Sequence, residues 1–178
     1  MNLVELQNKI HAQNKELGWW DESRPFSTFV CLFHSELSEA MEGDRKGLMD
    51  DHLPQYPMFQ VELADFVIRV FDYLGAVGFD NADYDDVSCM LGDEIDKQTD
   101  TRFLAGLHLC VSLALNEDDD GNFGDSYSML AGGILASFMH AKNESFDLKK
   151  IILEKVEYNK HRADHKRENR AKQGGKKY

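Results

Sequence analysis

Residues 61–75 read VELADFVIRVFDYLG. At about 100° per residue, Leu63, Phe66, Val67, Val70 and Leu74 fall on one side of a helix, with Phe59 just ahead of them. Val61 and Ile68 fall on another side, so the helix is expected to be largely buried. The spacing predicts that it starts near Met58 and ends between Gly75 and Gly78. A helix apolar on two sides needs other helices around it, and no period-2 strand series with hairpin turns occurs elsewhere. The fold class expected is therefore all-α. Glu62 and Asp65, three residues apart, interrupt this apolar segment.

The preceding periodic segment carries the same interruption. HSELSEAMEGDRKG, at 34–47, places Glu36 and Glu39 three apart beside a stripe of Phe26, Phe29, Val30, Phe33, Leu37, Ala40 and Met41. Pro25 is suited to open this helix and Gly47 to close it, giving Phe26 to Lys46. With Leu37 as zero, Glu36 and Glu39 stand at about 260° and 200°; with Leu63 as zero, Glu62 and Asp65 stand at about the same angles. Helices packed by their stripes can then bring all four acids to one edge of the bundle. Four carboxylates that close repel one another and raise one another's pKa unless a cation sits among them. All-oxygen ligands suit Mg²⁺ or Mn²⁺ rather than zinc. A di-iron bundle would need a Glu-x-x-His pair, and the third residue on is Glu39 in one helix and Asp65 in the other. A single E-x-x-E is common on solvated helices; two in phase, one inside an apolar helix, form the stronger pattern.

Further helices are expected over about Leu3 to Leu17, around 82–97, near 100–116 and 125–142, and from after Phe146 to about His165. WWDESRP, LMDDHLPQYP and the acidic NEDDDGNFGD read as connections. The 178 residues fit one domain. Within 1–178, residues 26–80 form the acid-bearing pair, 81–145 supply extra helices, and 146–178 hold the last helix and a basic tail. Two pairs of segments also align, each without an internal gap. FSTFVCLFHSELSEA (26–40) sets over FLAGLHLCVSLALNE (103–117), and VELADFVIRVFDYLGAVGFD (61–80) over SMLAGGILASFMHAKNESFD (128–147). The acids do not survive: Glu36, Glu39, Glu62 and Asp65 fall on Leu113, Asn116, Met129 and Gly132. A duplicated scaffold with one working site is one reading; the general likeness of amphipathic helices is the other.

The net charge is −12 and it is uneven: from Lys155 to Tyr178 nine Lys/Arg face three Asp/Glu, a local +6 that leaves −18 on the rest. An acidic body with a basic end does not suit a nucleic-acid groove. On the last helix Lys155, Asn159 and Arg162 fall on one face, where cations meet phosphate and an amide meets sugar or base. Cations near a helix C-terminus are also favoured by its dipole alone. Trp19 and Trp20 end the first helix; one is expected to pack inward and the other to be free for stacking on a base. His11 is a weaker candidate. Cys31, Cys89 and Cys110 form no C-x-x-C pair, and Cys31 and Cys110 are expected to be buried thiols in a reducing compartment. The N-terminus lacks a signal-peptide pattern and no apolar run reaches membrane length, so the expected location is cytoplasmic. P-loop, G-x-G-x-x-G, G-x-S-x-G and zinc spacings are absent, which argues against the enzymes built on them.

HAQNKELGWW, HSELSEAMEG, VELADFVIRVFDYLG and KVEYNKHR with the later GGKK together resemble the all-α nucleoside triphosphate pyrophosphohydrolases, the superfamily of MazG and the dimeric dUTPases. They are most similar to its small MazG-like members, many of them from phages. The resemblance covers roughly 5–80 and 146–178; the segment near 81–145 departs from short members. It implies a helical bundle and Mg²⁺ held by Glu36, Glu39, Glu62 and Asp65. It also implies cleavage of a nucleoside triphosphate between its α- and β-phosphates, with dUTP or dCTP the favoured substrates. Lys155, Asn159 and Arg162 would help to hold the nucleotide. Glu39 is the acid assigned to the attacking water. A homodimer is expected, with the extra helices at its interface. The alternatives are a nucleotide-binding relative without turnover, a helical interaction module, and a pyrophosphohydrolase of a phosphoribosyl nucleotide.

Overall fold

The computed structural model describes residues 2–91, 98–163 and 169. Seven α-helices run through them: α1 (Leu3–Glu16), α2 (Phe26–Lys46), α3 (Met58–Val77), α4 (Asn81–Leu91), α5 (Asp100–Asp119), α6 (Phe123–Asn143) and α7 (Leu148–His161). Among the described residues the sole β pairing is an isolated bridge between Met49 and Pro57. No helix among them is long and apolar enough to cross a membrane.

Local chemistry sets most of these bounds. Asn2 and Glu5 form a capping box at the start of α1, the Asn2 side chain accepting from the Glu5 amide at 2.8 Å. Pro25 precedes α2, and Gly47 ends it at φ 61°, a left-handed conformation that glycine adopts without a Cβ penalty. Thr99 caps α5 and Asp147 caps α7. The acidic connection is narrower than expected, because α5 continues to Asp119 and α6 begins at Phe123. Gly121, at φ 81°, makes the reversal between them. The last helix is shorter than the sequence suggested: it stops at His161, and Arg162 is extended at ψ 129°. The expected continuation towards His165 lies outside the described residues, as do most of the basic tail and part of 82–97.

The centre of the bundle is α3, with α1, α2, α6 and α7 packed around it. Leu63, Phe66, Val67, Val70, Phe71 and Leu74 are buried within it, and so is Val61 on its second apolar side. From α2, Phe33, Leu37 and Ala40 meet this face. Gly43 of α2 lies so close to α3 that a Cβ there would stand 2.8 Å from the Met58 Cβ and 2.9 Å from the Phe59 nitrogen. Gly75 is needed in the same way against α1, where a Cβ would stand 2.8 Å from that of His11. These two approaches clamp α3 to both neighbours, and α3 carries half the candidate site.

The other half repeats the pattern: α5 packs on α6, α4 packs on α6, and α5 lies against α2. Three surface positions differ from expectation. Met41, assigned to the α2 stripe, is 36% exposed at its outer edge. Cys31 is exposed and Cys110 is half-buried, so neither is the buried thiol expected. Cys31 follows Val30 by about 100°, which carries it off the inner face of α2.

Candidate metal centre and its adjoining pocket

Packing α2 on α3 brings three of the four expected acids together. Glu36, Glu62 and Asp65 each offer a carboxylate oxygen, all within 4.8 Å of one another. Glu36 and Glu62 are 5% and 6% exposed, which is rare for carboxylates without compensation. Glu39 lies one turn along α2, is exposed, and stands outside this set.

Two cations offset the cluster. Arg69, one turn beyond Asp65, donates its Nε–H to Glu36 Oε1 at 2.5 Å. Lys155, on α7, sits 2.9 Å from Asp65 Oδ2 and is 1% exposed. Its Nζ also lies 3.4 Å from His52 Nδ1. Three acids therefore face two cations, and Glu62 is the acid without one. Burial, then the charges of Asp65 and Glu36, push its carboxyl up to about 9, against the opposing influence of Lys155. Burial raises Asp65 too, with Lys155 working against that rise. Burial works against the charge of Lys155, and Asp65 outweighs it, so the ammonium is held more firmly than usual. Burial and the nearby Lys155 and Arg162 charges push His52 down, which keeps it neutral at pH 7.

This donor set fits a hard divalent cation. Its ligands are all oxygen, they stand on two helices locked together at Gly43, and they are one positive charge short. A cation there would replace the proton on Glu62 as the means of keeping three carboxylates in contact.

A pocket opens beside the cluster, lined by Asp65 and Arg69 and continuing past Trp19, Arg24, Asn159 and Arg162. The Asn159 Oδ1 is buried there without a hydrogen-bond partner, an acceptor awaiting a donor. Asp72 closes one side. Its carboxylate accepts from His11 Nδ1 at 2.8 Å, Asn14 Nδ2 at 2.8 Å and Trp20 Nε1 at 2.9 Å. The two tryptophans are thereby told apart. Trp20 packs inward, stacked on Phe29 at 5.3 Å, while Trp19 lines the pocket. The Arg24 guanidinium lies over the Phe29 ring at 4.6 Å and donates to the Trp19 carbonyl oxygen at 2.6 Å.

Of the basic end, Asn159 and Arg162 reach the pocket, although Arg162 does so from beyond the helix rather than from its face. Lys155 meets the site through Asp65. Arg69, Asp72, Asn14, Arg24 and His52 were not singled out from sequence. A signal existed for two of them: Glu62, Asp65, Arg69 and Asp72 recur at intervals of three and four residues, one charged stripe along an otherwise apolar helix. Comparison with family models, with curated proteins and with solved structures finds no match to this chain.

Proposed function

We propose that this protein is a Mg²⁺-dependent nucleoside triphosphate pyrophosphohydrolase of the MazG-like kind, releasing a nucleoside monophosphate and pyrophosphate. The observation that supports it best is the Glu36–Glu62–Asp65 triad, drawn from two helices and opening onto a pocket with three arginines and an unpartnered amide oxygen. A cation such as Mg²⁺ or Mn²⁺, held by the triad, would neutralise phosphate oxygens and acidify a bound water. The rest falls to the chain's own groups. Lys155 fixes Asp65 and Arg69 fixes Glu36, so the ligands are oriented in advance. Glu39, exposed one turn from Glu36, orients the attacking water. That water gives a proton to the Glu39 carboxylate as its oxygen bonds to the α-phosphorus; the bond to the bridging oxygen breaks, and pyrophosphate departs with the electron pair. Arg24 and Arg162 stabilise the charge on the leaving group. Asn159 accepts from a sugar hydroxyl or a base amine, and Trp19 offers a face for the base, with Trp20 held behind it by Asp72.

In this reading the substrate is a free pyrimidine deoxynucleotide such as dUTP or dCTP in the cytoplasm, not a nucleic-acid polymer. We read α5 and α6 as a degenerate copy of α2 and α3, which the matching helix packing supports. Leu109 and Leu113, 58% and 40% exposed one turn apart on α5, support a homodimer through that face. A second reading, nucleotide binding without turnover, draws on the position of Glu39 outside the triad. Incubation with each dNTP and Mg²⁺, with pyrophosphate detection, tests the choice. Turnover by the wild type that Glu62→Gln loses supports hydrolysis. Binding of a Mg²⁺–nucleotide with no turnover favours the second reading.

A further inference from the structure

The two cations that offset the triad are not equivalent. Lys155 is 1% exposed and is enclosed between Asp65 and His52, with no room to leave. Arg69 is 36% exposed, and it lines the adjoining pocket while its Nε–H is bonded to Glu36. Its Cα is fixed in α3, the most buried helix, but its guanidinium ends a long flexible stem. Glu36, 5% exposed, cannot follow it. A divalent cation that takes Glu36 as a ligand competes for the oxygen that Arg69 now holds, and like charge then drives the guanidinium outward. The open direction is the pocket, where a triphosphate would present acceptors suited to its forked donors.

We propose that Arg69 is a resident counter-ion that exchanges partners: it neutralises Glu36 until a divalent cation arrives, then turns into the pocket and grips the phosphates of the substrate. The inference rests on the metal-dependent reading of the site. It makes Arg69 a positioning residue in the empty state and a substrate-binding residue in the loaded one. The exchange keeps the triad from standing uncompensated, and it makes the phosphate grip available only after the metal is in place.

The test uses the full chain with Mn²⁺ alone and then pyrophosphate on the Mn²⁺-loaded protein. Arg69→Gln should bind Mn²⁺ about fivefold more tightly, since a partly exposed competing ion pair is worth up to about 1 kcal/mol. The same variant should bind pyrophosphate about tenfold more weakly, and Arg69→Lys should recover part of both changes. Lys150→Gln, which removes a charge 62% exposed on α7, should alter neither. Unchanged or weaker Mn²⁺ binding by Arg69→Gln would overturn the proposal, as would tighter Mn²⁺ binding with pyrophosphate affinity intact. A wild type that binds no Mn²⁺ would instead overturn the metal-dependent reading itself. Should Arg69→Gln fold poorly, the arginine Nε–H resonances of the wild type decide. One slowly exchanging signal should shift or broaden when diamagnetic Mg²⁺ is added, and a spectrum indifferent to Mg²⁺ would sink the exchange.

Discussion

The two three-helix parts of this bundle are built alike and equipped differently. In α1–α3 and again in α4–α6, a long helix pairs with the next and the first helix packs on the third, and α2 and α5 meet between the parts. At the positions of the triad, α2 and α3 carry Glu36, Glu62 and Asp65, while the aligned positions of α5 and α6 carry Leu113, Met129 and Gly132. In the first set Glu36 and Glu62 are buried and Asp65 is half-buried, and Arg69 and Lys155 offset the three. In the second, Leu113 is exposed, Met129 packs on the core, and Gly132 faces Val87, where a Cβ would stand 3.9 Å from its Cγ1. One arrangement of helices therefore serves two ends. The second part supplies packing, and the first accepts the electrostatic cost of grouped carboxylates.

The comparison breaks most easily in the core. Leu63 in the first part and Ile134 in the second are both fully buried. Leu63→Ala and Ile134→Ala should each destabilise by about 2–5 kcal/mol, with one cooperative transition by circular dichroism and by tryptophan fluorescence. Two separate transitions would mean that the parts do not share a core. At the site, Glu62→Gln should lower pyrophosphate release about 10²–10³-fold, the scale of losing a preorganised charge. Its thermal stability near neutral pH should not fall, because a neutral amide replaces a carboxyl that the folded protein keeps protonated. Glu39→Gln should cost about tenfold or more in kcat with little change in Mg²⁺ affinity. Its aligned counterpart Asn116→Ala should leave kcat within about twofold.

A smaller and graded effect comes from pH. The Glu62 carboxyl titrates near 9 in the folded protein and near 4.5 when unfolded. The folded state thus holds a proton that the unfolded chain gives up early. Without metal, the contribution of this group to stability is fully present below pH 4.5 and declines as pH rises towards 9. A metal held by Glu62 would have to displace that proton, so Mg²⁺ affinity should rise by up to about tenfold per pH unit between 6 and 8. The melting-temperature gain from saturating Mg²⁺ should be larger at pH 8 than at pH 6. Glu62→Gln should flatten both dependences.

Much of this was legible in the sequence where local chemistry decides. Pro25 and Gly47 bound α2 as expected, and the double apolar face of α3 announced its central position. The in-phase acids pointed to the triad because spacing on a helix is a local property. What the sequence left out depends on distant partners. Nothing near Lys155 says that it will pair with Asp65, ninety residues away, rather than with a phosphate. Glu39 has the right phase but sits one turn further along α2, and phase carries no information about height along the bundle. The acidic run after Asn116 read as a connection, yet helix persists to Asp119, since only Gly121 requires a reversal. Arg69 and Asp72 were legible in principle, as charges in step with Glu62 and Asp65.

The most direct measurement is calorimetric titration of the 178-residue chain with Mg²⁺ at pH 7.5, in two buffers of different ionisation enthalpy. A metal centre at Glu36, Glu62 and Asp65 gives saturable binding, with an apparent heat that differs between buffers because the Glu62 proton is released. Glu62→Gln then loses both the affinity and the buffer dependence. Absence of binding by the wild type with nucleotide present, or binding that Glu62→Gln leaves unaltered, would contradict the assignment.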